Sequence, residues 1–225
     1  LLVSSEWGVT GPNLAVIREG RVTPRAFTAR SVPTSLRSDI GEDSRVLLGH
    51  VTIDAEGQRW ALANRHLLRL NAEEAFVAWS TRGPNLWALY PDPADPDALW
   101  LGDERGGVYR YDRRRNAVTD SLQAAGRVYQ IHRGPRDRLW VGTDDGLWMR
   151  DAEGNFIRHT GAAVIGQPVR DMLNGPDGAL WVATAGEGLV RFRDGRMESL
   201  GTDEGLPYNH LSAVMLDNLG FFWLR

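Results

Sequence analysis

A tryptophan-centred motif recurs along the chain at nearly constant spacing, and a long-period repeat constrains the fold more tightly than any other feature of the sequence. QRWALANRHLLRLN (58–71), ALWLGDERGGVYRYD (98–112), RLWVGTDDGLWMRD (138–151) and ALWVATAGEGLVRFRDG (179–195) are one motif written four times, and FFWLR (221–225) begins a fifth. The motif residues are Trp60, Trp100, Trp140, Trp181 and Trp223, at intervals of 40, 40, 41 and 42. An arginine follows each of the first four by nine or ten residues, at Arg69, Arg110, Arg150 and Arg191. A weaker copy, LLVSS (1–5) with NLAVIREG (13–20), places Leu2 at the tryptophan position. It stands 58 residues before Trp60, the extra length lying in a polar stretch around Ala29 to Ser44 that reads as an inserted loop.

Within each period apolar and polar residues alternate over four to six positions between turn residues, the pattern of short strands. The repeat at 127–160 gives strands near Val128–His132, Leu139–Thr143, Leu147–Arg150 and Asn155–His159, and therefore four strands per unit. Asp144-Asp145-Gly146, Gly106-Gly107 and Glu187-Gly188 join second strand to third with the residues that tight hairpins demand. No window shows a sustained helical period. A period of about 40–45 residues with four strands per unit is the β-propeller signature, each unit being one blade. The expected fold is all-β, with four-stranded antiparallel blades. A partial blade covers 1–45, full blades cover about 46–84, 85–125, 126–166 and 167–208, and a partial blade covers 209–225.

The repeated tryptophans have a structural task in such a fold, because one blade alone leaves both sheet faces bare. An aromatic side chain buries about 150–250 Å², which at about 25 cal/mol per Å² corresponds to roughly 4–6 kcal/mol before entropy. Filling the gap between adjacent sheets is the expected role. The repeated arginines are expected at the exposed end of the third strand, solvated at the tip and packed by their stems on neighbouring tryptophans.

Composition removes several chemistries. The 225 residues are 42% hydrophobic and 24% charged, enough to bury a core. There is no cysteine, which excludes disulfides, thiolate nucleophiles and Cys-ligated zinc. There is no lysine either, so all 26 basic residues are arginine and Schiff-base and Walker-lysine chemistry are excluded. A net charge of −3 without a basic cluster argues against a nucleic-acid partner. No apolar run approaches the ~20 residues of a membrane span, so no membrane contact is expected within the segment.

At LWVGTDDGLWMR (139–150) and LWVATAGEGLVRF (180–192) the chain resembles the two-component regulator propeller repeat. GLPYNHLSAVMLDNLGFFWL (205–224) is similar to the same family's blade junction, in which an Asp and a Gly precede the aromatic strand. The resemblance implies a periplasmic sensor propeller, generally seven-bladed and placed ahead of a membrane span and a cytoplasmic output such as a histidine kinase or diguanylate cyclase. A homodimer through the parent receptor in the inner membrane is implied with it, together with a small-molecule, glycan or protein ligand. Seven blades at this period need roughly 290 residues. The chain is therefore expected to be an incomplete portion, about five blades, of a longer polypeptide. A propeller enzyme resembling the streptogramin lyases, and a protein-binding scaffold, are the alternatives.

No catalytic constellation is legible. Asp144-Asp145-Gly146 lacks the remainder of a calcium loop and reads as a hairpin. His50, His66, His132, His159 and His210 are scattered without metal-ligand spacing, so neither metal nor cofactor is expected. Arg113-Arg114-Arg115 reads as a solvated turn. Function on a propeller is grafted through loops, and the loops expected to converge are those before the first strands and between second and third strands. They carry Arg82, Asn85, Arg105, Arg127, Gln167, Glu187, Tyr208, Asn209 and His210 as candidate ligand-binding residues.

Overall fold

The computed structural model describes residues 2–4, 14–18, 21–25, 50–71 and 75–225. The inserted loop expected around Ala29 to Ser44 lies outside these residues. Three strands, β1 (Leu2–Ser4), β2 (Leu14–Arg18) and β3 (Arg21–Arg25), form the first sheet. Four four-stranded sheets follow. The second holds β4 (Val51–Ile53), β5 (Arg59–Ala63), β6 (His66–Leu70) and β7 (Ala75–Ser80). The third holds β8 (Leu86–Pro91), β9 (Ala98–Asp103), β10 (Gly107–Asp112) and β11 (Ala117–Gln123). The fourth comprises β12 (Val128–Arg133), β13 (Leu139–Thr143), β14 (Gly146–Arg150) and β15 (Phe156–Arg158). The fifth comprises β16 (Val169–Asn174), β17 (Leu180–Thr184), β18 (Leu189–Arg193) and β19 (Arg196–Leu200). A pair, β20 (Val214–Leu216) and β21 (Phe222–Leu224), ends the chain.

Every pairing is antiparallel, and each sheet is a meander in chain order. The first strands stand in succession, β8 against β4 and β12, and β16 against β12 and β20, so the sheets are arranged as propeller blades around their first strands. Only two single turns of 3-10 helix, Pro135–Asp137 and Thr202–Glu204, interrupt the β-structure among the described residues. The expected all-β propeller of four-stranded antiparallel blades is the fold observed.

The core lies between the sheets. Trp60, Leu62 and Leu67 meet Leu86, Leu89, Leu99, Leu101 and Tyr111 of the next blade. Trp100 and Val108 meet Val128, Ile131 and Val141, and Trp140 and Leu147 meet Val169, Met172 and Leu180. The indoles pack across the gap: Trp60 lies edge-on to Tyr111 at 6.0 Å, Trp140 to Phe192 at 5.1 Å, and Trp181 lies 4.6 Å from Phe222. Trp223 is 59% exposed, because no described strand lies beyond β21 to cover it. The glycine of LWVGT is explained by the same interdigitation. A Cβ on Gly142 would stand 2.5 Å from Val169 Cγ1, and one on Gly102 would stand 2.3 Å from Val128 Cγ1. The bare backbone is the socket for the next blade's valine.

One side-chain expectation is corrected. Arg113 is not solvated: its side chain is 8% exposed and its guanidinium lies 2.5 Å from Asp54 and 3.3 Å from Glu56 of the preceding blade. Arg114 and Arg115 are exposed as expected. The motif arginines lie on two different sheet faces. Arg69, Arg110 and Arg191 sit directly opposite Trp60, Trp100 and Trp181, but Met149 takes that place opposite Trp140. Displaced by one residue, Arg150 points to the other face of its sheet. There it lies over Trp100 of the preceding blade at 5.4 Å and bonds Asp120 at 2.7 Å.

Candidate functional site

In a meander, the second-to-third hairpins and the loops leading into the first strands fall at the same end of the blades. Hydrogen bonds tie each leading loop to its own blade's hairpin: Glu104 N–H donates to Asn85 O, Asp144 N–H to Arg127 O, and Ala185 N–H to Pro168 O, at 2.9–3.1 Å. Adjacent blades are joined at the same level, Leu86 N–H donating to Asn64 O and Leu211 N–H to Thr184 O, both at 2.8 Å. The result is a continuous rim.

At this rim the pairing register of three first strands shifts by one residue. It skips Trp87 in β8, Tyr129 in β12 and Arg170 in β16, each immediately after a buried residue, Leu86, Val128 or Val169. Such irregularities re-aim a side chain out of the sheet's alternation. Here they bring four residues of three successive blades into one stack. The Arg127 guanidinium carbon lies 4.4 Å from the Trp87 ring centre and 5.9 Å from that of Tyr129, and Arg170 lies over Tyr129 at 4.0 Å. Trp87 remains 42% exposed. Among the described residues neither guanidinium has an ion-pair partner, and Arg127 Nε is buried without a hydrogen bond.

The other end of the blades is arranged differently. Asp54 accepts the Trp60 indole N–H at 2.7 Å and the Arg113 guanidinium. Asp92 accepts the Trp100 indole N–H at 2.9 Å and Arg133 Nε at 2.7 Å, and Arg133 Nη2 also donates to the carboxylate. Burial pushes the Asp92 carboxyl up, but the Arg133, Trp100 and Ala94 hydrogen bonds outweigh it and hold the group below the usual carboxylate value. Between the two ends, neighbouring first strands are cross-linked by Gln130 Nε2 donating to Asp171 at 2.9 Å and Val214 N–H donating to the other Asp171 oxygen at 3.0 Å. His132, also on β12, is held below its ordinary value by burial, which Asn174 and Asp171 only partly oppose.

Of the candidate residues named from the sequence, only Arg127 belongs to the stack. Asn85 and Arg105 lie on a loop and hairpin joined by the Asn85–Glu104 bonds. Gln167 packs against Gly186, and Glu187 N–H donates to Thr184 Oγ1 at 2.9 Å. Asn209 closes a turn, its Oδ1 accepting Thr202 N–H at 2.8 Å and its carbonyl accepting Gly188 N–H at 2.9 Å. Arg82, Tyr208 and His210 are exposed. Trp87, Tyr129 and Arg170 were missed because they sit inside strands, where simple alternation assigns them to a sheet face. The legible signal was their common place, one residue after the first buried position of each blade. Chemically, two guanidiniums on aromatic faces make a cationic surface suited to anions. Among the described residues, no three of His, Asp and Glu gather as a metal site would require.

No protein-family model matches the chain, and no curated protein matches it by sequence. Solved structures match it as a β-propeller. The extracellular domain of a protein assigned as a hybrid two component system, from B. thetaiotaomicron, superposes with a TM-score of 0.72 at 12% identity, over 95% of this chain and 30% of that one. PorZ, a surface component of the type-IX secretion system of Porphyromonas gingivalis, gives 0.71 at 15% identity, over 95% and 35%. Virginiamycin B lyase from Staphylococcus aureus, with quinupristin, gives 0.69 at 13% identity, over 94% and 69%. The chain thus spans about a third of the two larger proteins. At these identities the likeness defines the fold.

Proposed function

We propose that this chain is a ligand-sensing propeller in the periplasmic input region of a bacterial membrane receptor. The parent would be an inner-membrane homodimer, with a seven-bladed ring and a kinase or cyclase output. The Arg127–Arg170 stack carries the binding part of this reading: it is a cationic, partly exposed surface assembled from three blades at the rim where the loops meet. The motif resemblance at 139–150, 180–192 and 205–224 supports the receptor setting, and so does the superposition on an extracellular domain of a hybrid two component system. A rigid propeller biases an attached output only through ligand contacts that differ between two arrangements of the receptor. Reporter fusions placed after this region in the native gene test the setting. Alkaline phosphatase activity is expected, and a reporter active only in the cytoplasm would end the sensor reading. The lyase alternative has the shared fold with virginiamycin B lyase behind it. It predicts cleavage of quinupristin by the purified protein, where the sensor reading predicts none.

A further inference from the structure

We infer that the stack formed by Trp87, Arg127, Tyr129 and Arg170 binds a small organic oxyanion carried on a ring, the oxyanion bridging the two guanidiniums and the ring lying against Trp87. The inference deepens the sensor reading and rests on it for its biological role. Its first support is the treatment of arginine elsewhere in the chain. Arg110, Arg113, Arg133, Arg150, Arg158 and Arg191 each pair their guanidinium with a carboxylate, whereas the guanidiniums of Arg127 and Arg170, like that of Arg69 over Phe76, lie over aromatic rings without an ion pair among the described residues. The one carboxylate at Arg127, Asp144, accepts its backbone N–H at 3.3 Å. Both cations lie near one tyrosine ring, at 5.9 and 4.0 Å from its centre, so their positive charge adds there and favours an anion at their edges. A guanidinium stacked by its face keeps the N–H groups of its edge for in-plane, bidentate bonds to carboxylate, sulfate or phosphate.

The second support is the ring surface. Trp87 is an exposed indole beside a cation, on a strand whose register shift turns it outward. A bare inorganic anion would leave that surface unused, while a planar or chair-shaped ring covers it. The buried, unbonded Nε of Arg127 shows that this guanidinium is held in place by packing without a protein acceptor. Arg127 contacts Trp87 and Tyr129 at once, so the site is already assembled across two blades before a ligand arrives.

The test is calorimetric titration of the intact protein with sodium benzoate, sodium glucuronate, sodium sulfate and the neutral isostere benzamide. At least one ring acid is expected to bind, and which of the two is tighter distinguishes an aromatic from a sugar source. Sulfate and benzamide are expected to bind at least about tenfold more weakly than the better ring acid. The affinity should fall as salt is raised, as for any exposed charge interaction. Arg170→Gln and the double variant Arg127→Gln/Arg170→Gln should each lose about tenfold or more in affinity, and Arg170→Gln should stay folded with a melting temperature close to the parent's. Arg170→Gln serves as the variant that leaves the buried Nε of Arg127 in place. Benzamide binding as tightly as benzoate, sulfate binding as tightly as the ring acids, unchanged affinity in both variants, or no binding of any of the three anions would each overturn the inference. These readings are independent of compartment, so a cytoplasmic location would end the receptor reading and leave the binding result standing.

Discussion

At the end of the blades where first strand turns into second, Arg113 and Arg133 reach the preceding blade's Asp54 and Asp92. At the opposite end the guanidiniums of Arg127 and Arg170 rest on the rings of Trp87 and Tyr129 with no ion pair among the described residues. The residue type is the same and the blades are the same. What differs is that Arg113 and Arg133 pair their charge with a carboxylate of the protein, while Arg127 and Arg170 do not, although Arg158 at the same rim pairs with Asp145. In the first region the aspartate joins three things at once: its own turn amides, its own blade's indole and the next blade's arginine. Removing it leaves buried donors unpaired, so that end contributes to stability. In the second region the half-buried arginines are held by stacking, which contributes about 0.5–1 kcal/mol each, and their charge enters no ion pair among the described residues.

The largest test of this contrast acts on the clamp. Asp92→Ala removes the acceptor of both Trp100 and Arg133, and denaturant unfolding should show a loss of about 3–5 kcal/mol, as for breaking a buried ion pair from one side. Trp140 tests whether packing substitutes where the clamp is missing. Glycine stands at the aspartate position there, with a Cβ on Gly134 falling 2.6 Å from the indole, and the Trp140 N–H has no acceptor. Trp140→Ala should cost a similar ~3–5 kcal/mol from lost packing alone. An unchanged midpoint in either variant would break the comparison on its structural side.

A smaller effect is expected at the blade sockets. Gly142→Ala drives a methyl into Val169 and should cost about 1–3 kcal/mol, while Gly57→Ala, with open space but a positive φ of 81°, reports backbone strain alone. If Gly142→Ala were neutral, the interdigitation of adjacent blades would be looser than the geometry requires.

The fold was legible because it depends on spacing: a tryptophan every 40 to 42 residues, with turn residues at repeated offsets, leaves few architectures. The site was only partly legible because it depends on register. Arg127 could be named from its loop, but Trp87, Tyr129 and Arg170 join it only through a one-residue shift in three strands, a three-dimensional event without a distinctive residue type. Arg150 packs on a neighbouring tryptophan, Trp100, as expected, but from the other face of its sheet. Arg150 stands ten residues after its tryptophan, as Arg110 and Arg191 do, but the tight Thr143–Gly146 hairpin shifts the register by one residue and so reverses the face. The pairing of Arg113 was illegible for another reason: its partner, Asp54, lies 59 residues away in the chain.

A still smaller effect comes from pH. His132 and His159 are both held below the ordinary value of 6.5, in each case by burial first. Their folded forms bind protons less readily than the unfolded chain. Stability from this source is complete above pH 6.5 and is lost as the pH falls from there through the folded values. Denaturant midpoints measured over that window should decline, and the decline should shrink in a His132→Asn/His159→Asn variant. A parent midpoint that stays level below pH 6.5 would show that neither imidazole resists protonation.

The contrast between the two ends is tested most directly by paired denaturant midpoints of Arg133→Gln and Arg170→Gln. Loss of Arg133 strands the buried Asp92 carboxylate and should lower stability by about 3 kcal/mol. Loss of Arg170 should change it by no more than about 1 kcal/mol, the contribution of its contact with the Tyr129 ring. Equal losses in the two variants would contradict the separation of structural from ligand-facing arginines.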